Sequence, residues 1–247
     1  MMKASNDRKT RARTTQQNTY GLLPGLGEGT CPGCTSEEGG CAYIAKGRKL
    51  PVCYVNKLMT AYPSVKGILQ HNTDLLKKAT KDKMTQVLDE HFKTFYKKEI
   101  KYEKLKDGDK ISAWYRLHWA GDLFSEDYAD ALVTAMLRNP NMMFWTYTRT
   151  FEHVHKFSKV PNLTLYISAD AANIDEALAC HEQNKASFCT STTATLGFCY
   201  LSKVKPKSID SFYLLDCPVD ANKMALEQAC HKCKLCLKGK PIWFKQK

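Results

Sequence analysis

The chain has 247 residues, 43% of them hydrophobic, with 10 Phe, 12 Tyr and 4 Trp, enough apolar mass to bury a core as one α/β domain or two smaller ones. No apolar run reaches the roughly 18 residues of a membrane-spanning helix, and the charged N-terminus has no apolar stretch behind it, which argues against a membrane partner and a secretory signal and for the cytoplasm. With 37 Lys and Arg against 25 Asp and Glu the formal charge is +12, a field that favours encounter with polyanions such as nucleic acid and serves solubility equally well.

Residues 1–20 are polar and basic (Lys3, Arg8, Lys9, Arg11, Arg13) without hydrophobic period, and are expected as a disordered tail. Residues 21–60 form a Gly-rich segment carrying Cys31-x2-Cys34-x6-Cys41-x11-Cys53, where an irregular glycine backbone can wrap thiolates around a metal. No Gly-Lys-Ser/Thr ending follows the glycines, so a phosphate-binding P-loop is not expected.

Residues 61–110 are expected to be helical. Met84, Val87, Leu88, Phe92, Phe95 and Tyr96 repeat as one face of a helix, Asp89 and Lys93 are spaced as an i,i+4 pair on its wet side, and shorter helices are expected before Pro63 and over 64–79. A turn at Asp107-Gly108-Asp109 leads into a βα core over 111–216. Strands are expected at 114–119, 144–148 and 163–168, with weaker ones at 194–201 and 211–216. Helices are expected at 125–138, with Ser125 as N-cap, at 151–157 and at 175–183. This alternation implies parallel βα units, either a partial βα barrel or an open parallel sheet.

Residues 217–247 hold the second cysteine group, Cys217-Pro218 followed by Cys230-x2-Cys233-x2-Cys236. Eight of the eleven cysteines thus fall into two sets of four, and in a reducing compartment such sets are read as metal ligands rather than disulfides. The expected fold is therefore α/β with N- and C-terminal Cys-rich metal-binding segments. The close Cys-x2-Cys-x2-Cys run favours an iron–sulfur cluster of the 4Fe-4S type over zinc, whereas the first group suits either. Cys180, Cys189 and Cys199 belong to no such motif and are expected as buried apolar residues.

Polar residues end the three central strands. His118, Asp122, Arg149 and Asp170 are the candidate catalytic residues, with Tyr147 and Ser168 as candidate binding residues for a small molecule or nucleotide, because ligands collect at the carboxyl ends of parallel strands. Asp122, Asp170 and His118 also have structural readings, as a helix cap, a turn cap and a hydrogen-bonded core histidine respectively.

The segments Leu117-His118-Trp119-Ala120-Gly121-Asp122-Leu123-Phe124-Ser125, Phe144-Trp145-Thr146-Tyr147-Thr148-Arg149 and Leu165-Tyr166-Ile167-Ser168-Ala169-Asp170 resemble the phage gene product 88 family, as do Cys53-Tyr54, the terminal cysteine run and Ile242-Trp243-Phe244. The resemblance spans residues 31 to 244 and implies a phage or prophage origin, hence the cytoplasm of the host cell, without implying an activity. The layout is also similar to that of radical S-adenosylmethionine enzymes, a partial βα barrel joined to an iron–sulfur cluster. It departs from them in lacking a Cys-x3-Cys-x2-Cys loop, so use of S-adenosylmethionine does not follow. Three readings stay open: an iron–sulfur enzyme with chemistry at the strand ends, a metal-stabilised protein that binds nucleic acid or a host factor without catalysis, and an α/β fold merely stapled by metal whose strand-end pocket binds a small metabolite.

Overall fold

The structure, a computed structural model, describes residues 1–5, 9, 18–47, 49, 51–102, 113–190, 192–227 and 229–245, with the side chains of 99–102 and 231 left aside. Six strands are described: β1 Ala113–Arg116, β2 Met142–Thr148, β3 Leu163–Ala169, β4 Thr195–Ser202, β5 Leu215–Asp216 and β6 Ile242–Lys245. They form one open, curled sheet, half of a barrel, in the order β1-β2-β3-β4-β6-β5, and all neighbours are parallel. Six α-helices are found among the described residues: α1 Tyr54–Ala61, α2 Pro63–Lys77, α3 Lys81–Tyr102, α4 Glu126–Leu137, α5 Ile174–Asn184 and α6 Ala229–Cys233.

Local chemistry accounts for several boundaries. Pro63 opens α2 at a position where its missing N–H costs no hydrogen bond. Ser125 caps α4, its Oγ accepting from the Tyr128 N–H at 3.2 Å, with Glu126 and Asp127 in the first turn facing the positive end of the helix dipole. The segment expected as a helix at 151–157 is a 3-10 helix over Phe151–Phe157.

Alternation along the strands divides the sheet into two faces. Tyr115, Phe144, Leu165, Ile167 and Phe198 pack with Phe92, Leu132, Val154 and Ala177 in the main core beneath the helices. Ring contacts such as Phe92–Phe144 at 4.8 Å and Phe95–Tyr115 at 4.9 Å join α3 to the sheet. The predicted apolar face of α3 is buried through Met84, Val87, Leu88, Phe92 and Phe95. Asp89, expected on the wet side, is instead buried. It accepts from Lys93 at 2.7 Å and from the Asn139 side chain at 2.8 Å, so it ties α3 to the end of α4.

The inner face carries Tyr147, Tyr166, Cys199, Ile242 and Phe244, packed against Cys217, Leu235 and Cys236. β3 is buried along its whole length, as expected of a central parallel strand covered on both faces.

Two readings of the termini change. Residues 18–20, expected in a disordered tail, lie beside β1: Thr19 forms a parallel bridge with Arg116, and Tyr20 is fully buried. Met2 is buried too, and Ser5 N–H donates to the Thr19 carbonyl at 2.9 Å. A hydrophobic Met and Tyr within a polar stretch are enough to dock it on a preformed sheet edge. The strand expected over 211–216 shrinks to Leu215–Asp216 because the sheet edge beyond β4 is taken by β6. Arg8, Arg11, Arg13 and the turn at Asp107–Asp109 lie outside the described residues.

Candidate functional site

The first cysteine group forms a loop that covers the carboxyl ends of β1, β2 and β3. The Asp122 N–H donates to the Thr30 carbonyl at 3.0 Å, which fixes the loop to the chain leaving β1. Gly33 lies directly on β2's exit: a Cβ there would collide with the Arg149 carbonyl oxygen, so only glycine allows this approach. Further on, the Ala42 N–H donates to the Thr35 carbonyl at 3.0 Å and the Cys53 N–H to the Cys41 carbonyl at 2.9 Å, which returns the chain to the start of α1.

This folding gathers sulfur. Cys34 and Cys41 have their Sγ atoms 2.7 Å apart, and Cys34 also hydrogen-bonds Cys31. Either sulfur of the 2.7 Å pair can donate. The hydrogen bonds to Cys31 and Cys41 raise the Cys34 pKa, whereas the Cys34 hydrogen bond lowers that of Cys41 against the effect of burial, with help from the Arg149 guanidinium. Cys53, at the N-cap position of α1, stands further out. Burial pushes its thiol up to about 11, and Cys41 and Cys31 act on it only through charge.

Beneath the sulfurs lies a network of the candidate strand-end residues. Asp122 is buried and accepts three donors, from the Leu123 N–H, the Thr148 hydroxyl and the Arg149 N–H, each at 2.7 Å. Its pKa is nevertheless raised, because burial outweighs those hydrogen bonds. The Arg149 guanidinium pairs with the Asp170 carboxylate, both side chains being at least nine-tenths buried. Burial opposes the Arg149 charge, but Cys41 and Asp170 more than restore it, so its pKa is raised. Asp170 also caps the turn after β3, accepting from the Ala172 N–H at 3.0 Å. Asp122, Arg149, Asp170 and Cys41 thus form one electrostatic unit.

His118 is placed elsewhere. β1 ends at Arg116 and not at Trp119, and His118 takes a left-handed conformation, φ 49°, which an L-residue rarely adopts. Its ring faces Tyr20 Oη at 3.2 Å, Tyr128 Oη at 2.6 Å and Thr146 Oγ1 at 3.4 Å. Burial lowers its pKa to about 3, so it is neutral at physiological pH. These are the surroundings of a hydrogen-bonded core histidine.

Tyr147 points along the inner face to the second cysteine group, and Ser168 to Cys199. The Tyr147 hydroxyl donates to Cys236 Sγ at 2.8 Å, and Ser168 hydrogen-bonds Cys199. A left-handed residue at Lys234, φ 59°, ends α6 and turns Cys236 inward, while Cys217 leaves β5 with its N–H bonded to the Trp243 carbonyl at 3.1 Å. Burial raises Cys236 to about 11 and Cys199 to about 12. Lys9 completes this region: its Nζ lies 3.5 Å from Cys217 Sγ and 3.9 Å from Asp220, and its carbonyl accepts from the Cys230 N–H at 3.0 Å.

Sequence reasoning passed over Cys199 and the contact of Lys9 with Cys217. The register of β4 against β3, pairing Cys199 with Ser168, is what turns Cys199 onto the inner face. No motif in the sequence carries that register.

Cys31, Cys34, Cys41, Cys53, Cys217, Cys233 and Cys236 carry free thiols. Among the described residues no group of three or more His, Cys, Asp or Glu side chains is arranged as it stands to hold a metal ion. The 2.7 Å spacing of Cys34 and Cys41 gives one reason. Sulfurs on a tetrahedral zinc ion stand about 3.8 Å apart, given zinc–sulfur bonds of about 2.3 Å. Among the described residues no helix is long and apolar enough to cross a membrane.

The family model described as Gene product 88 matches residues 1–239. The chain is 30% identical over 261 aligned residues to the Gene 88 protein of Mycobacterium phage L5, covering 97% of this chain and 95% of that one. It is 34% identical over 193 residues to the Gene 88 protein of Mycobacterium phage D29, covering 71% and 70% respectively. No solved structure matches.

Proposed function

The chain belongs to the phage Gene product 88 family, and we propose that it is a thiolate metalloprotein in which Cys31, Cys34, Cys41 and Cys53 hold an iron–sulfur cluster or a zinc ion over the strand ends, with Cys217, Cys230, Cys233 and Cys236 holding a second. The observation that supports it best is the meeting of Cys31, Cys34 and Cys41 above the Arg149–Asp170 pair. The donor set fits: Cys31, Cys34 and Cys41 are reduced thiols on an irregular loop, and separating Cys34 from Cys41 by about 1 Å gives the spacing of a tetrahedral site.

An iron–sulfur cluster would supply one-electron transfer, and zinc would supply cross-linking. The protein's own residues prepare the site. The buried Arg149 charge offsets the negative charge of thiolates at Cys34 and Cys41, and Asp170 and Asp122 hold Arg149 by its guanidinium and its backbone N–H. Loading a metal displaces the protons of its thiol ligands, so binding weakens as pH falls. Asp122, Arg149 and Asp170 are engaged within the protein and act here as positioning residues. A small molecule or nucleotide reaching this end would meet the loop and its metal first.

The test is anaerobic purification with iron, zinc and sulfide quantified together. Stoichiometric metal, lost when Cys31, Cys34 and Cys41 are replaced by Ser, supports the reading. Folded protein without iron or zinc overturns it.

One observation favours a second reading, a metal-stabilised nucleic-acid-binding protein. A cleft of about 560 Å³ between α3, α4 and the 3-10 helix is lined by Lys81, Arg138, His155 and Lys159, with Asp82 and Asp130 opposing. Lys156, also there, is engaged by Glu126 and Asp130 at 2.8 and 2.9 Å. Binding of DNA or RNA that weakens steeply with salt and is lost in Arg138→Glu/Lys159→Glu supports this reading. Salt-independent binding, or none, removes it.

A further inference from the structure

We propose that Cys34 and Cys41 form a redox-active dithiol, which a small disulfide of the glutathione class converts to an intramolecular disulfide. This goes beyond the metal reading and does not require a metal.

The two sulfurs are 2.7 Å apart, so a bond of about 2.05 Å needs less than 1 Å of approach. The backbone already holds the two segments side by side. The Ala42 N–H donates to the Thr35 carbonyl at 3.0 Å, and Gly40 leaves no room for a Cβ beside the Thr35 hydroxyl. Both cysteines are half-buried and reachable by a small oxidant, whereas Cys31 is buried.

The Cys41 thiol releases its proton and its thiolate attacks one sulfur of oxidised glutathione, the glutathione S–S bond breaks, and one glutathione thiolate leaves and takes up a proton. Cys34 then gives up its proton and attacks the Cys41 sulfur of the mixed disulfide, expelling the second glutathione. The protein loses two electrons and two protons in all, and one oxidised glutathione becomes two reduced ones. The same two sulfurs cannot be both a disulfide and metal ligands, so oxidation removes two of the four ligands of the first group, and bound metal shields the pair.

The test treats the full-length protein, as purified anaerobically and after chelation, with oxidised glutathione, traps free thiols and maps disulfides by peptide mass spectrometry. The chelated protein is expected to show Cys34–Cys41 as its main cross-link. Cys31→Ser is expected to retain that cross-link, and Cys34→Ser to leave Cys41 as a glutathione adduct. A main cross-link between Cys31 and Cys34, or none involving Cys41, overturns the proposal. The two readings fail separately. Equal oxidation with and without chelation counts against metal at this group and leaves the dithiol standing, whereas metal-loaded protein that stays reduced after chelation sinks the dithiol alone.

Discussion

The carbonyl of Arg149 occupies the space that a side chain on Gly33 would need. This one contact seats the loop that bears Cys31, Cys34 and Cys41 on the end of β2. Gly33→Ala is therefore expected to lift the loop, at a cost of about 1–3 kcal/mol, the range for forcing atoms into a packed site. On the proposal that both cysteine groups bind metal, metal at the first should fall while that at the second persists. Thermal unfolding with metal analysis checks this, and a variant of unchanged stability and metal content would show that the contact does not seat the loop.

Arg149 and Asp170 form a buried ion pair. Removing one partner leaves the other charged and unpaired in a dry site, so Asp170→Asn is expected to cost about 3–5 kcal/mol. The double variant Arg149→Met/Asp170→Asn should cost less than the sum of the two single changes. Urea unfolding of the four proteins measures the coupling, and additive losses would mean the pair is not a unit.

His118 and His91 are buried, and burial lowers their pKa values to about 3 and about 4. In the unfolded chain each binds a proton near pH 6.5. Between that pH and the lowered values the unfolded state binds more protons, so stability falls as pH falls, by up to about 1.4 kcal/mol per pH unit for each histidine. Denaturant midpoints measured from pH 7 to pH 4 should show this slope. In His118→Gln the slope should lose about one proton's worth; an unchanged slope would place the acid sensitivity elsewhere.

Much of this architecture is legible in the sequence. The apolar period from Met84 to Phe95 marks α3, Ser125 with Glu126 and Asp127 marks the start of α4, and the alternation around 144–148 and 163–168 marks β2 and β3. What escapes are features set by distant partners. Ile242–Lys245 is a short run whose strand character comes from pairing with β4, some forty residues earlier in the chain. Asn18–Tyr20 adopts its place only because β1 offers it an edge. Of the candidate site, Asp122, Arg149 and Asp170 do converge, because parallel strands in register bring their ends together. His118 shares that position in the sequence, but its left-handed backbone turns the ring toward Tyr20 and Tyr128, and nothing in a histidine's neighbours announces a positive φ.

The central claim is that the first cysteine group is a metal site seated on the strand ends. Its most direct measurement is iron, zinc and sulfide per chain in anaerobically prepared wild type beside the Cys31→Ser/Cys34→Ser/Cys41→Ser variant, with circular dichroism on both. The account predicts stoichiometric metal in the wild type and the loss of one centre in the variant, with the sheet intact. Equal metal content in the two folded proteins, or none in either, would contradict it.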